Sequence, residues 1–321
     1  MLGVSGGADS TGLLAVLARL REHLNVSLIA VYIDHGLRPS ETVNEKSCVQ
    51  SLAADLQADF TSIGVNTTEH ARAMKLSLEH SARELRYQAL RKVAGERHAS
   101  CIATAHTADD QAEEILIRLL RGSGRQGLSG MRTKSGDIVR PFLETKKKDI
   151  IAYLADRNVR YLEDSSNADP RFLRNRVRLE LIPLLERNFD AGIKQALRKT
   201  ARNLAEDEKL LDELTETAYE RVLIPAGAED QTAFLKFRLD RQEFLKQPGA
   251  LQRRIIEKIL WRIGSIAHFS HILQIVEAAR TGRTGTEYHL SRGLRVGVQK
   301  HYLEFVYPEG RRPWRGRLYR E

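Results

Sequence analysis

The chain is poor in cysteine. Cys48 and Cys101 are the only two in 321 residues, and they are not spaced as Cys-x-x-Cys. Two thiols are too few for a disulfide scaffold or a four-cysteine zinc site. A pair of reduced structural cysteines in a cytoplasmic protein is the expectation. No run approaches the ~18–20 apolar residues of a membrane span, so no membrane partner is expected. The opening Met1-Leu2-Gly3-Val4-Ser5-Gly6 has no charged n-region and no long apolar stretch, which predicts no secretory leader. Internal repeats and low-complexity segments are absent as well. Acidic residues are in deficit: Asp and Glu total 42 against 51 Lys and Arg, a formal charge of +9. A basic chain of this size points to a polyanionic partner, nucleic acid first, although charge alone discriminates weakly. Hydrophobic residues at 42% and charged residues at 29% are ordinary for a globular protein. The length suits two domains or three small ones.

Short apolar runs alternate with helical patterns through about residue 165. Residues 26–33 (VSLIAVYI) and 100–105 (SCIATA) read as buried strands, and 59–65 as a weaker one. Helical periodicity marks 11–24, 78–97, 109–121 and 146–157. This alternation predicts an α/β fold, a Rossmann-like doubly wound parallel sheet with helices on both faces. Residues 190–223 are rich in helix formers and support one long helix or two, ended by Pro225 and Gly227. The remainder reads as a small α+β unit, with helices at 251–263 and 271–280 and strands at 286–290, 294–299 and 301–307. The expected domains are therefore 1–187, a helical linker over 188–227, and 228–321.

The sharpest motif is near the start. Val4-Ser5-Gly6-Gly7-Ala8-Asp9-Ser10 runs directly into an amphipathic helix. Two glycines let the backbone turn tightly and bring N–H groups close to an anion. The helix start adds about half a positive charge and open amide donors. A bare Gly-Gly would read as an ordinary helix entry; the whole string reads as a phosphate cradle. It is neither a Walker A loop nor a dinucleotide fingerprint, because the required spacings are missing. It resembles the pyrophosphate loop of the N-type ATP pyrophosphatases, which split ATP to AMP and pyrophosphate. Only Met1 to Val4 precede it, about half of the strand such folds place there.

Other constellations follow predicted strands and helices. Asp34-His35-Gly36-Leu37-Arg38 sits at the carboxyl end of a strand, where ligands bind in such sheets. His106-Thr107-Ala108-Asp109-Asp110-Gln111-Ala112-Glu113 opens a helix with Asp110 and Glu113 on one face. Acids there serve as plain caps, but with a phosphate cradle nearby they would also suit Mg²⁺ or a cationic amine. Arg83 and Arg86 lie one turn apart, as phosphate partners or as members of surface ion pairs. The glycine-rich segment 122–130 reads as a loop. Arg171, Arg174 and Arg178 form a helical stripe, either a solvated face or a contact for phosphates. The terminal segment 311–320 interleaves arginine with Trp314 and Tyr319, as a basic tail or a single-stranded RNA contact.

As an ordered set, SGGADS, IDHGLR, HSARELRY, AHTADDQAEE, LLRGSGRQGLSGM, RPFLETKK, EDSSNADPRFLRNRVR and LIPLLE resemble the tRNA(Ile)-lysidine synthetase family of the PP-loop superfamily. The likeness spans roughly residues 3–187. Beyond it the layout is similar without sharp motifs, and the chain looks like a shorter form of the family. The resemblance implies ATP and Mg²⁺, L-lysine, and a CAU-anticodon tRNA(Ile) whose wobble cytidine is adenylated and then attacked by the lysine side-chain amine. It also leaves room for a homodimer. It places ATP on Ser5, Gly6, Gly7, Ala8, Asp9 and Ser10, and a metal on Asp9 and Asp110. It places lysine on His106, Asp110 and Glu113. Catalysis falls to Asp9, Arg86, Arg83 and Asp110, and tRNA binding to Arg171, Arg174, Asn175 and Arg178. Glu114 departs from the family pattern, which often has Thr there. The rival readings are a PP-loop tRNA thiolation enzyme, an ATP-dependent amidation enzyme acting on a small metabolite, and a non-enzymatic RNA-binding module. Thiolation enzymes usually need a cysteine pair or an iron–sulfur cluster, and neither cysteine here sits in such a motif.

Overall fold

The computed structural model describes residues 1–37, 39–162, 172–224, 234–265, 267–290 and 293–308. Two compact units divide the chain, Met1–Ala205 and the part from Glu206 onward. In the first, β1 (Leu2–Gly3) leads into α1 (Ala8–Leu24), followed by β2 (Ile29–Asp34), α2 (Pro39–Asp55) and β3 (Asp59–Gly64). The helices α3 (Thr67–Met74) and α4 (Leu78–Glu96) precede β4 (Ile102–Ala103) and α5 (Ala108–Leu120). A short α6 (Arg125–Leu128), the hairpin β5 (Lys134–Ser135) and β6 (Ile138–Val139), and α7 (Lys147–Asp156) come next. Then α8 (Leu173–Arg176) passes through a π-helical turn, Val177–Leu181, into α9 (Ile182–Asn188). α10 (Ile193–Val222) is one continuous helix, and the division between the units falls within it.

The sheet of the first unit has the order β3-β2-β1-β4-β6-β5. Every pairing is parallel except that of β5 with β6. Its strand β2 is buried on both faces, which is why it reads as an unbroken apolar run. Ala30 and Tyr32 join Leu2, Leu13, Leu14 and Leu154 in one core, whereas Val31 joins Met1, Leu90 and Ile102 in another. Each fully buried side chain of this size contributes roughly 1.5–3 kcal/mol. β1 lies between β2 and β4, and the chain leaves those two neighbours in opposite directions. The crevice of a doubly wound sheet opens at such a switch point, beyond the carboxyl ends of the strands. The loops after β1 and β4 therefore emerge side by side, although about a hundred residues separate them.

The second unit contains the end of α10, β7 (Leu223–Ile224), β8 (Phe234–Asp240), α11 (Arg241–Lys246), α12 (Gly249–Arg262), α13 (Phe269–Thr281), β9 (Glu287–His289), β10 (Arg295–Val298) and β11 (Tyr302–Pro308). Its antiparallel sheet has the order β7-β8-β11-β10-β9 and shares one core with α12 and α13. This is the expected parallel α/β sheet followed by helix and a small α+β unit. The strand expected at 100–105 shrinks to Ile102–Ala103. Helices α2 and α3 and strand β8 were not expected. In α2 just two positions, Val49 and Ala53, are buried hydrophobics, too few for a clear stripe. Among the described residues no helix is long and apolar enough to cross a membrane.

α7 packs against α1 through a glycine. A Cβ at Gly12 would lie 2.5 Å from Ile150 Cγ2. Gly12→Ala should therefore destabilise the protein despite the helix propensity it adds, about 0.5–1 kcal/mol. Overpacking of this kind costs about 1–3 kcal/mol, and the midpoint of urea unfolding should fall accordingly.

Candidate active site

The loop after β1 is built by its own polar atoms. Gly6 adopts φ +87°, a left-handed conformation that favours glycine. The Ser10 hydroxyl accepts from the Ser5 N–H at 3.1 Å and lies 3.1 Å from the Gly7 carbonyl, which it can reach as donor. The Ser5 and Ser10 hydroxyls are 3.2 Å apart, and Thr11 donates to the Gly6 carbonyl at 3.1 Å. From outside, the Leu162 N–H holds the Gly6 carbonyl at 2.9 Å. No side chain caps α1 at Gly7, so its first amides are not taken by a capping side-chain oxygen, and a helix start of this kind suits an anion.

Asp9 lies in the first turn of α1. Its Oδ2 is 3.5 Å from Lys147 Nζ, and its Oδ1 is buried without a hydrogen-bond partner among the described residues. Burial raises the Asp9 pKa, and Lys147 opposes that rise. An orphaned carboxylate oxygen beside a phosphate cradle fits a divalent cation, which would complete its shell with phosphate oxygens and water.

The loop after β4 brings the second group of acids. Thr107 caps α5 in a reciprocal capping box with Asp110. Asp110 Oδ2 accepts from the Thr107 N–H at 2.8 Å and its hydroxyl at 2.7 Å. Asp110 Oδ1 takes Arg174 at 3.0 Å and Arg178 at 3.3 Å. Glu113, 2% exposed, is gripped by Arg174 Nε at 3.0 Å and Arg178 Nε at 2.6 Å. Burial disfavours the charged Asp110, but Arg174 and the Thr107 hydrogen bonds outweigh it and hold the carboxyl at about 2. Burial likewise opposes the Arg174 charge, and its carboxylate partners more than restore it. Asp109 accepts from the Lys147 backbone N–H at 2.9 Å and meets Lys194 Nζ at 3.1 Å.

Above these acids lies a cationic group. Arg86 is half-buried, its Nε lacks a hydrogen-bond partner among the described residues, and its guanidinium sits 5.3 Å from the centre of the Tyr87 ring. Arg83 lies at the same distance from that ring. His106 is held neutral by burial and by the Arg86 charge, with Nδ1 3.0 Å from the Thr104 hydroxyl. His35 is neutral for the same two reasons, its pKa lowered to about 4. Burial pushes the Tyr87 phenol up, but Arg86, Arg83 and Arg140 bring its pKa below the ordinary value.

The amino-acid sequence matches the PP-loop domain family over residues 1–185. The chain belongs to the PP-loop domain family. Relatives named tRNA(Ile)-lysidine synthase are similar over most of this chain. That of Symbiobacterium thermophilum is 35% identical over 93% of this chain and 63% of its own length. That of Geobacter sulfurreducens is 36% identical over 95% and 64%. That of Thermus thermophilus is 37% identical over 89% and 53%. The chain thus spans less than two thirds of each of these relatives. The U34-tRNA thiolase NcsA from Methanococcus maripaludis, solved with its [4Fe-4S] cluster, shares the fold. The TM-score is 0.52 at 17% identity, over 64% of this chain and 71% of that one.

One cleft of the PP-loop domain is lined by Asp9, Thr107, Asp109, Asp110, Glu113, Lys147, Arg178, Ile182 and Lys194. It joins Asp9 of the phosphate loop to the expected lysine-site acids Asp110 and Glu113. Arg174 and Arg178, expected at the tRNA, are bound to those same acids, and Asn175 between them is buried. Arg171, Arg38, the acidic segment from Glu163 and the basic segment 311–320 lie outside the described residues. The reading by motif missed Lys147, Asp109, Lys194 and Tyr87. Lys147 carried a signal, being one of three consecutive lysines that open a helix against its dipole.

Two outcomes follow from the acid–arginine network. Arg174→Ala leaves Glu113 short of a partner in a buried position, and should lower unfolding free energy by about 3 kcal/mol or more. The Asp110 pKa is depressed below its unfolded value near 3.8. Its contribution to stability is therefore present above pH ~4 and lost as pH falls towards 2. Urea titrations across that window should show the slope, and Asp110→Asn should flatten it.

Proposed function

We propose that this chain ligates L-lysine to C2 of the wobble cytidine of a CAU-anticodon tRNA(Ile) in the cytoplasm, with ATP split to AMP and pyrophosphate. The observation that carries this reading is the shared cleft: a phosphate loop and a pair of carboxylates suited to an ammonium face each other at the switch point of one sheet. Ser5 to Ser10 would hold the phosphates of ATP, with the amides of α1 directed at them. Mg²⁺, when bound at Asp9, would neutralise phosphate charge. Asp110 would reach the metal only by giving up its arginines, so Asp9 is the ligand we assign.

Asp110 and Glu113 would receive the lysine ammonium, in competition with the guanidiniums of Arg174 and Arg178. His106, uncharged, adds no repulsion to that cation and offers a hydrogen bond. Arg86, with Arg83, would face the negative charge that builds at the α-phosphate as the C2 oxygen attacks. Adenylation turns that oxygen into AMP, a good leaving group, and the lysine amine then displaces it. Holding a nucleotide, a cation and an unstacked base together supplies much of the rate through proximity. Arg171, Arg174, Asn175 and Arg178 form the segment we assign to the tRNA.

Sulfur transfer, as in the thiolase that shares the fold, is the second reading. Cys48 lies in α2, and Cys101 precedes β4 with its carbonyl bound to the Met1 amino group, at the amino ends of the strands and so away from the cleft beyond their carboxyl ends. That placement favours ligation. The test is incorporation of radiolabelled lysine into unmodified CAU-anticodon tRNA(Ile) with ATP and Mg²⁺. Incorporation should vanish when the wobble cytidine is changed, and persist when both cysteines become alanine. Asp9→Ala should reduce it at least ~100-fold. Incorporation by Asp9→Ala at the rate of the unaltered chain would contradict the reading.

A further inference from the structure

We infer that Lys147 is a phosphate-binding residue of the ATP site, the group that engages the pyrophosphate portion of the nucleotide and follows it as it leaves. This rests on the proposed use of ATP and assigns a residue from outside the phosphate loop to it.

Three helices of the first unit start beside this side chain. Lys147 is the first residue of α7; its ammonium reaches Asp9 in the first turn of α1, and its backbone N–H reaches Asp109 in the first turn of α5. Each helix start carries roughly half a positive charge. The junction is held from two sides. The Ala108 N–H donates to the Thr145 carbonyl at 2.9 Å, and Gly12 lets Ile150 of α7 press against α1. Lys147 is thereby fixed at the mouth of the loop.

Its position is electrostatically unfavourable for a merely structural lysine. A cation in the first turn of a helix runs against the dipole, and Lys146 and Lys148 flank it. Asp9 compensates in part, at 3.5 Å through a single oxygen. The other oxygen is the buried atom without a partner. A divalent cation on Asp9 would take from Lys147 the one carboxylate that its ammonium reaches among the described residues, at the place where three helix starts converge. Phosphate oxygens supply that counter-charge. The Asp9–Lys147 pair is then the resting state of two groups that bind the same ligand from opposite signs, the acid through metal and the lysine directly.

The experiment is equilibrium binding by calorimetry to the full chain, with ATP, inorganic pyrophosphate and AMP as probes. Lys147→Met should weaken ATP and pyrophosphate at least ~10-fold while AMP stays within about twofold, since a hydrogen bond to a charged group is worth that much. Lys147→Arg should recover most of the loss. The same comparison in an Asp9→Asn background, with EDTA present, separates direct contact from masking of Asp9. Loss of pyrophosphate affinity in both backgrounds supports the inference. Loss confined to the Asp9 background would make Lys147 only a counter-ion and overturn it. Unchanged ATP affinity in Lys147→Met, or equal weakening of ATP and AMP, would overturn it as well. If the unaltered chain binds neither ATP nor pyrophosphate, the proposed use of ATP fails first and this inference with it.

Discussion

The convergence of helix starts at the carboxyl ends of the central strands is the constraint on which the rest of the site depends. β1 and β4 pair directly, so α1 and α5 begin side by side, and α7 is clamped between them. Three partial positive charges in one place would be unfavourable without acids nearby. Asp9, Asp109 and Asp110 occupy the first turns of α1 and α5. The acids that give the cleft its chemistry are thus also those that stabilise the helices bearing them. Phosphate binding and capping use the same electrostatics, and the fold needs no separate device for each.

Burying those acids has a further consequence. Carboxylates in such surroundings need cations at hydrogen-bond distance: Lys147 and Lys194 supply them to Asp9 and Asp109, and Arg174 and Arg178, from a segment some sixty residues on, to Asp110 and Glu113. A ligand cation entering the cleft would meet acids that are oriented but already paired. Its affinity is then the difference between two similar interactions, which makes binding discriminating rather than tight. The arginines hold Asp110 charged and grip Glu113. The π-helical turn that begins at Val177 puts Arg178 inside a register rare in ordinary helices and frequent at functional sites.

Local features were the legible ones. SGGADS announces its loop because the glycines, the serines and the helix that follows them are consecutive. HTADDQAE shows its capping box for the same reason, and the two-faced burial of β2 is visible in an unbroken apolar run. Features made by distant segments were hidden. Nothing near Lys147 in sequence says that it meets Asp9, because that contact depends on α7 packing across Gly12. The stripe of Arg174 and Arg178 has the spacing of a solvated face, and only the fold turns it towards Glu113. β8 is a different case, since Leu235, Phe237 and Leu239 alternate with Lys236, Arg238 and Asp240 and the period of two was there to be read. Its position follows from pairing with β11, more than sixty residues later.

The central claim is that the loop after β1 presents ATP for attack at its α-phosphate, with pyrophosphate as the departing group. The most direct measurement is product analysis with α-labelled ATP, the full chain, CAU-anticodon tRNA(Ile) and lysine. The account predicts label in AMP, in amounts equal to the lysine ligated. Label in ADP, or AMP formed at the same rate without tRNA, would contradict it.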